Sequence, residues 1–328
     1  MLSTAAAASA CAGTETAYAT EGTATTMNAI VIAADRSLHW TAVPDPVPAA
    51  DEVLVDIHAT AVNRADLLQR AGKYPPPPGA PEWMGLEMAG VVAHVGPAAG
   101  SRWRPGDRVC GLLGGGGYAE RVAVRPELLL PVPAGMTMAQ AASLPEVFAT
   151  VYLNLVLEAG LAAGETVLIQ AGASGIGIAG IQFAKFLGAR VITTVGSPDK
   201  AQAIRPLGPD VVVDRTTTDL GAVLDACEAE GRPVNVVLDC VGGPDLGRHF
   251  GKLARGGRWV LIATLGGETT QIDLRLVLTR GLRLIGSTLR SRPVATKARV
   301  IAGLAERVWP AFADGRMRPV IHRVLPIQ

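Results

Sequence analysis

The chain has 328 residues, and at about 100 to 200 residues per domain that length predicts two domains. Thirty Lys and Arg against twenty-nine Asp and Glu leave a net charge of +1, which provides no field to gather a polyanion, so no nucleic-acid partner is expected. Hydrophobic residues at 49% with charged residues at 18% exclude disorder over most of the chain, and no uncharged apolar run reaches the roughly 18 to 20 residues of a membrane span.

Cys11, Cys110, Cys227 and Cys240 stand far apart with no C-x-x-C pair, which suits a reducing, cytoplasmic setting better than a disulfide framework. Residues 1–26 are Ala, Thr, Ser and Gly with no Lys or Arg and no apolar signal core; a disordered tail is expected there, with structure beginning near Met27.

From residue 27 to about 148 short strands are broken by Gly and Pro. Val53, Val55, Ile57, Ala59 and Ala61 fall on one face of a period-2 run, so this part reads as a β-rich domain. A short helix over Arg64 to Gln69 follows Asn63, and Pro75, Pro76, Pro77 and Pro78 then stiffen a loop.

Between residues 149 and 289 strand and helix alternate, which requires a parallel sheet, because parallel strands need long crossovers. The six candidate strands are Thr166 to Ala171, Arg190 to Val195, Val211 to Asp214, Asn235 to Val241, Arg258 to Leu265 and Leu282 to Leu289. Leu220, Val223, Leu224 and Cys227 keep helical spacing with Gly231 as the stop, which makes Cys227 a core residue. Over residues 290–328 a helix starting at Pro293 carries Val300, Leu304 and Val308 on one stripe, and a last strand is expected near Val320 to Leu325.

The sharpest local signal is the turn Gly172-Ala173-Ser174-Gly175-Ile176-Gly177, placed between a strand and an Ala/Ile-rich helix running to Leu187. In a dinucleotide site of the Rossmann kind Gly172 serves the tight turn, Ser174 stands where backbone approaches the diphosphate, and Gly177 lets helix and strand pack closely. At the end of the second strand no acid stands at the tip. Gly196 and Ser197 supply donors there, and Lys200 and Arg215 lie near, a set that favours the 2′-phosphate of NADPH. The alternative leaves both cations solvated and gives the ribose to Asp199. Val241-Gly242 and Leu265-Gly266 lie at strand carboxyl ends, where they read equally as cofactor contacts or as turn chemistry. A hydrolase elbow is excluded, since the required G-x-S-x-G fails at Ile176.

These residues, with Asn63-Arg64-Ala65-Asp66-Leu67-Leu68-Gln69-Arg70, Gly85-Leu86-Glu87, Pro105-Gly106-Asp107-Arg108-Val109 and Ser287-Thr288-Leu289-Arg290-Ser291-Arg292, resemble the zinc-free quinone oxidoreductases of the medium-chain dehydrogenase/reductase superfamily. The subgroup most similar is that of the tumour-suppressor-inducible quinone oxidoreductases and their bacterial relatives. The resemblance implies an α/β protein in which a GroES-like β-rich catalytic domain accompanies a doubly wound parallel-sheet Rossmann domain. It further implies that the chain returns to the catalytic domain after residue 289, in a segment one helix and one strand shorter than in relatives.

Zinc relatives place Cys at the position of Asn63, His at that of Leu86 and a second Cys near Glu146, so no metal is expected. Carried over from the family, Asn63 donates to the acceptor carbonyl or positions nicotinamide, although Asn there serves equally as a helix cap. Tyr74 lines the substrate mouth or acts as an apolar lid. Leu289, Ser291 and Arg292 reach the nicotinamide half and phosphates, or form a basic surface turn.

Without a Lewis acid, reduction of an already electrophilic acceptor is the chemistry left. NADPH-dependent quinone reduction is the leading expectation and reduction of α,β-unsaturated carbonyls the alternative. A nucleotide-binding structural or RNA-associating protein is the reading from another class, disfavoured by balanced charge and sparse aromatics. The family also implies a homodimer through an apolar edge strand at Leu282, Leu284, Ile285 and Leu289.

Overall fold

The computed structural model describes residues 25–327. The tail expected over residues 1–26 therefore lies outside the described residues as far as residue 24, and Thr26 already belongs to a strand. That strand, β1 (Thr26–Ile32), pairs antiparallel with β2 (Leu38–Pro44). Next come β3 (Val53–Thr60), the short helix α1 (Arg64–Arg70), β4 (Glu87–Val95), β5 (Arg108–Leu112), β6 (Arg121–Val124) and β7 (Leu129–Pro131). The five strands form an antiparallel sheet in the order β6-β3-β4-β5-β7.

The alternation in β3 buries Val53 and Val55 completely, and register shifts at Leu54/Val55 and Ile57/Ala59 end the strict period before Ala61. Gly90 on β4 is obligatory: a Cβ there would lie 2.0 Å from the Asp56 carbonyl oxygen of the neighbouring strand.

Helices α2 (Met138–Ala142) and α3 (Pro145–Tyr152) lead through a π-helical stretch, Leu153–Glu158, into the parallel sheet. Its elements alternate as β8 (Thr166–Ile169), α4 (Gly175–Phe186), β9 (Arg190–Val195), α5 (Pro198–Ile204), β10 (Val211–Asp214), α6 (Leu220–Ala229), β11 (Val234–Asp239), α7 (Gly243–Phe250), β12 (Arg258–Leu261), α8 (Leu274–Arg280) and β13 (Arg283–Gly286). The strand order β10-β9-β8-β11-β12-β13 is doubly wound, with its switch point between β8 and β11.

Period-2 side chains divide the two faces. Val167, Ile169, Val236 and Leu238 enter the larger core with α4, while Leu168, Val237 and Trp259 pack with Leu220, Leu224 and Cys227 of α6 and Phe250 of α7. After the sheet, α9 (Val294–Arg307) and α10 (Trp309–Ala313) return to the first part of the chain; Trp309 Nε1 donates to the Pro131 carbonyl at 2.7 Å.

Three expectations are corrected. Candidate strands reaching Ala171, Val241 and Leu265 stop at Ile169, Asp239 and Leu261. The Asp239 carboxylate takes the N–H groups of Val241 and Gly242 at 2.6 and 3.1 Å, which turns the chain out of the ladder. The strand foreseen over Leu282 to Leu289 is the shorter β13. No strand forms near Val320 to Leu325: Val320, Val324 and Leu325 are exposed and have no partner strand among the described residues. No described helix is long and apolar enough to cross a membrane.

Candidate active site

A cleft of about 1840 Å³ runs between the antiparallel sheet and the carboxyl ends of the parallel strands. That exceeds the roughly 300–1000 Å³ of a drug-sized pocket and leaves room for a dinucleotide together with a small acceptor.

At the nucleotide end, Ser174 caps α4 by accepting the Gly177 N–H at 3.0 Å, which aims the free amides of the first turn, Gly175 and Ile176, at the cleft. Gly172 and Gly177 do not line the cleft; they permit the turn. A Cβ on Gly177 would sit 2.4 Å from the Ala171 carbonyl oxygen, and one on Gly172 would meet Thr193 Oγ1 at 2.2 Å. At the tip of β9, Gly196, Lys200 and Arg215 line the cleft together, and the Arg215 guanidinium stands 3.6 Å from where a Gly196 Cβ would be. Ser197 is occupied as the cap of α5, accepting from the Lys200 amide at 3.3 Å.

Leu265 and Leu289 line the cleft, whereas Val241, Gly242 and Gly266 lie behind it. A Cβ on Gly243 would fall 2.7 Å from the Gly266 carbonyl oxygen, so these glycines pack turn on turn. Ser291 and Arg292 also lie off the cleft. Ser291 Oγ is 2.9 Å from Thr288 Oγ1, and Arg292 reaches Glu158 at 2.8 Å.

At the other end the cleft floor is a carboxyl cluster. Asn63 holds the N-cap position of α1, but its side-chain Nδ2 donates to Glu87 Oε1 at 2.8 Å, and Glu87 Oε2 accepts the Glu146 backbone N–H at 2.8 Å. Asp66 accepts from the Asn63 backbone N–H at 2.8 Å, the Tyr118 hydroxyl at 3.0 Å and the Gly85 N–H at 3.2 Å. Burial, added to by the charge of Asp66, pushes the Glu87 carboxyl up to about 7 against the pull of its two donors. Burial first, then Glu87 and Asp66, push Glu146 up to about 8, with Lys297 and Arg290 opposing.

Tyr74 lines the cleft above this cluster, and Arg290 holds it there. The buried guanidinium donates to the carbonyls of Gly114 at 2.8 Å and Tyr74 at 3.2 Å and to Gln69 Oε1 at 2.7 Å, with Cζ 5.3 Å from the centre of the Tyr74 ring. Burial and Glu146 raise the Tyr74 phenol. Glu146, Glu87, Asp66 and Arg290 carry no functional role in the sequence reading, although all four stand in or beside its motifs. The one local signal was the three-residue spacing of Asn63 and Asp66 at a helix start.

The side chains at the zinc positions do not form a zinc set. Asn63 is a neutral amide engaged by Glu87, Leu86 is an apolar residue 1% exposed, and no group of three metal-ligating side chains exists among the described residues.

Fold and site together define a two-part dehydrogenase/reductase. Residues 49–134 match the alcohol dehydrogenase GroES-like domain and residues 175–305 the zinc-binding dehydrogenase family. A solved alcohol dehydrogenase superfamily protein from Novosphingobium aromaticivorans is 30% identical, with 90% of this chain and 89% of that one covered at a TM-score of 0.76. The chain belongs to this medium-chain dehydrogenase/reductase superfamily, on its zinc-independent side. Escherichia coli quinone oxidoreductase, solved with NADPH, is 27% identical over 89% of each chain at a TM-score of 0.75. CurK enoyl reductase is 26% identical over 92% of each chain at 0.77. Polyketide synthases stand among the curated relatives, and the chain spans only 5 to 13% of their length.

Proposed function

We propose that the protein is an NADPH-dependent, zinc-independent reductase of α,β-unsaturated carbonyl compounds. The observation that carries this reading is one continuous cleft, with cation-flanked nucleotide positions at one end and Asn63, Tyr74 and a carboxyl cluster at the other.

The residues present fit the cofactor. The uncapped amides of Gly175 and Ile176 meet a diphosphate, and Lys200 and Arg215 beside Gly196 meet a 2′-phosphate. Bound NADPH supplies the hydride. Asn63 Nδ2 spends one hydrogen on Glu87 and keeps a second to donate to the acceptor carbonyl, where negative charge develops. Tyr74 narrows the acceptor end and excludes water, so positioning dominates the rate. Without zinc ligands an alcohol keeps its high pKa, which favours acceptors that are electrophilic from the outset.

Likeness to an enoyl reductase and to polyketide synthases favours the enone. Quinone reduction, as in the tumour-suppressor-inducible subgroup, is the second reading and is supported by the likeness to quinone oxidoreductase. The reading takes the protein to be a cytoplasmic homodimer that pairs through the edge strand β13, on which Leu284 is 45% exposed. Parallel assays of NADPH consumption with an enone and a benzoquinone test it. Faster turnover of the enone is expected; turnover of neither overturns it.

A further inference from the structure

Building on that reading, we propose that Glu146 is a catalytic acid, delivering to the reduced acceptor the proton that completes the reaction, and that Glu87 is its positioning residue. The other two carboxyls of the cluster are committed: Glu87 accepts two hydrogen bonds and Asp66 three. The Glu146 carboxyl accepts none from the described residues and lines the cleft beside Asn63 and Tyr74. Its backbone is fixed from below, because the Glu146 N–H is the donor to Glu87 Oε2. An acid that is anchored by its main chain and free at its carboxyl is placed to meet a ligand rather than to hold the fold.

Charge counting shows why it keeps a proton. The groups facing it are Glu87 on β4, Asp66 on α1, Tyr74 on the loop, Lys297 on α9 and Arg290 between β13 and α9, with Cys110 and Tyr118 facing Glu87. Three carboxyls share two cations, and Arg290 is already spent on three carbonyl-type oxygens. The N-terminus of α3 favours the ionised form, but burial and the carboxyls of Glu87 and Asp66 act in the opposite direction and prevail. Burial and those neighbours raise the carboxyl to about 8, so Glu146 is an acid at neutral pH.

The step balances. Hydride from the reduced nicotinamide bonds to the β-carbon of the enone, and the C=C electron pair becomes the enolate. The O–H bond of Glu146 breaks, its proton bonds to the α-carbon, and the electron pair stays on the carboxylate. Solvent in the open cleft returns the proton. One NADPH and one proton are consumed for each saturated carbonyl formed.

The test compares wild type, Glu146→Gln and Glu146→Asp with 2-cyclohexenone, after NADPH fluorescence titration has established that each variant is folded and loaded. The wild-type kcat is expected to fall tenfold per pH unit above about 8. Glu146→Gln should lower kcat on the order of 100-fold and abolish that pH dependence, with KM for NADPH within about twofold. Glu146→Asp should restore part of the rate and the pH dependence. In ligand-free protein a protonated-carboxyl infrared band should titrate away above about pH 8 and be missing from Glu146→Gln. A Glu146→Gln enzyme with kcat within about threefold of wild type, or one keeping the wild-type pH profile, overturns the proposal while wild-type turnover leaves the functional reading standing. A wild type inert toward every acceptor overturns both.

Discussion

Arg290 ties three otherwise separate pieces of chain to the acceptor end of the cleft, and its replacement by Lys tests that role without removing the charge. The fork holds the carbonyls of Gly114 and Tyr74 and the Gln69 side chain, whose own Nε2 donates to the Glu82 carbonyl at 2.8 Å. The clamp thus grips both ends of the proline loop, at Tyr74 and at Glu82. A Lys ammonium cannot reproduce the planar fork, and two of the three acceptors lose their donor. At about 1–3 kcal/mol for each orphaned buried acceptor, with partial rehydration from the cleft, the cost is roughly 2–4 kcal/mol. For a chain of this size that lowers the melting temperature by about 3–6 °C.

Because the Tyr74 loop is released, KM for the acceptor should rise severalfold while KM for NADPH, whose proposed contacts Lys200 and Arg215 lie at the far end of the cleft, stays within about twofold. Thermal unfolding followed by tryptophan fluorescence, together with steady-state kinetics in both substrates, reads both effects. A variant that melts within about 1 °C of wild type with an unchanged acceptor KM refutes the clamp.

Arg215→Ala should weaken NADPH about 10- to 100-fold by fluorescence titration and leave NADH affinity unchanged, as one charge-assisted contact to a phosphate is lost. Equal weakening of both cofactors would place Arg215 away from the 2′-phosphate. Glu87 has a folded-state pKa of about 7, above the ordinary 4.5, so its contribution to stability is fully present below about pH 4.5 and is lost as pH rises through 7. The loss is roughly 3 kcal/mol, and Glu87→Gln should make urea-measured stability fall less steeply between pH 5 and pH 8. An unchanged slope contradicts the assignment.

The nucleotide-binding sheet was legible because its signals are local. Arg190–Val195 and Val211–Asp214 were read to the residue, since apolar runs there are closed by Gly196-Ser197-Pro198 and by Arg215 with the threonines after it. The end of β11 was misplaced because a side chain the linear text does not orient intervenes, Asp239 taking the amides of Val241 and Gly242. The final apolar stretch after Arg318 carries strand-like composition, but a strand needs a neighbour and none is adjacent. The glycine turn, Gly196, Lys200 and Arg215 were visible as a motif with its context.

The carboxyl cluster was not visible. Asn63, Asp66, Glu87, Glu146, Arg290 and Lys297 come from four helices and strands and the segments between them, and only the packing of α3 against β4 and of α9 against α3 brings them together. Nothing in the text distinguishes Glu146, whose carboxyl is free, from Glu87, whose oxygens are both taken. That distinction lies in hydrogen-bond partners up to 59 positions apart, Asn63 and Glu146 both donating to Glu87.

The central claim is that a nicotinamide hydride passes directly to an electrophilic acceptor in this cleft without zinc. The most direct measurement follows NADPH deuterated at C4 with an enone in single turnover, on protein exhaustively treated with a chelator. Deuterium at the β-carbon of the product, one per NADPH consumed and at the rate of untreated protein, is the predicted result. Loss of turnover on chelation with recovery on adding zinc, or a product carrying no label from NADPH, would contradict the account.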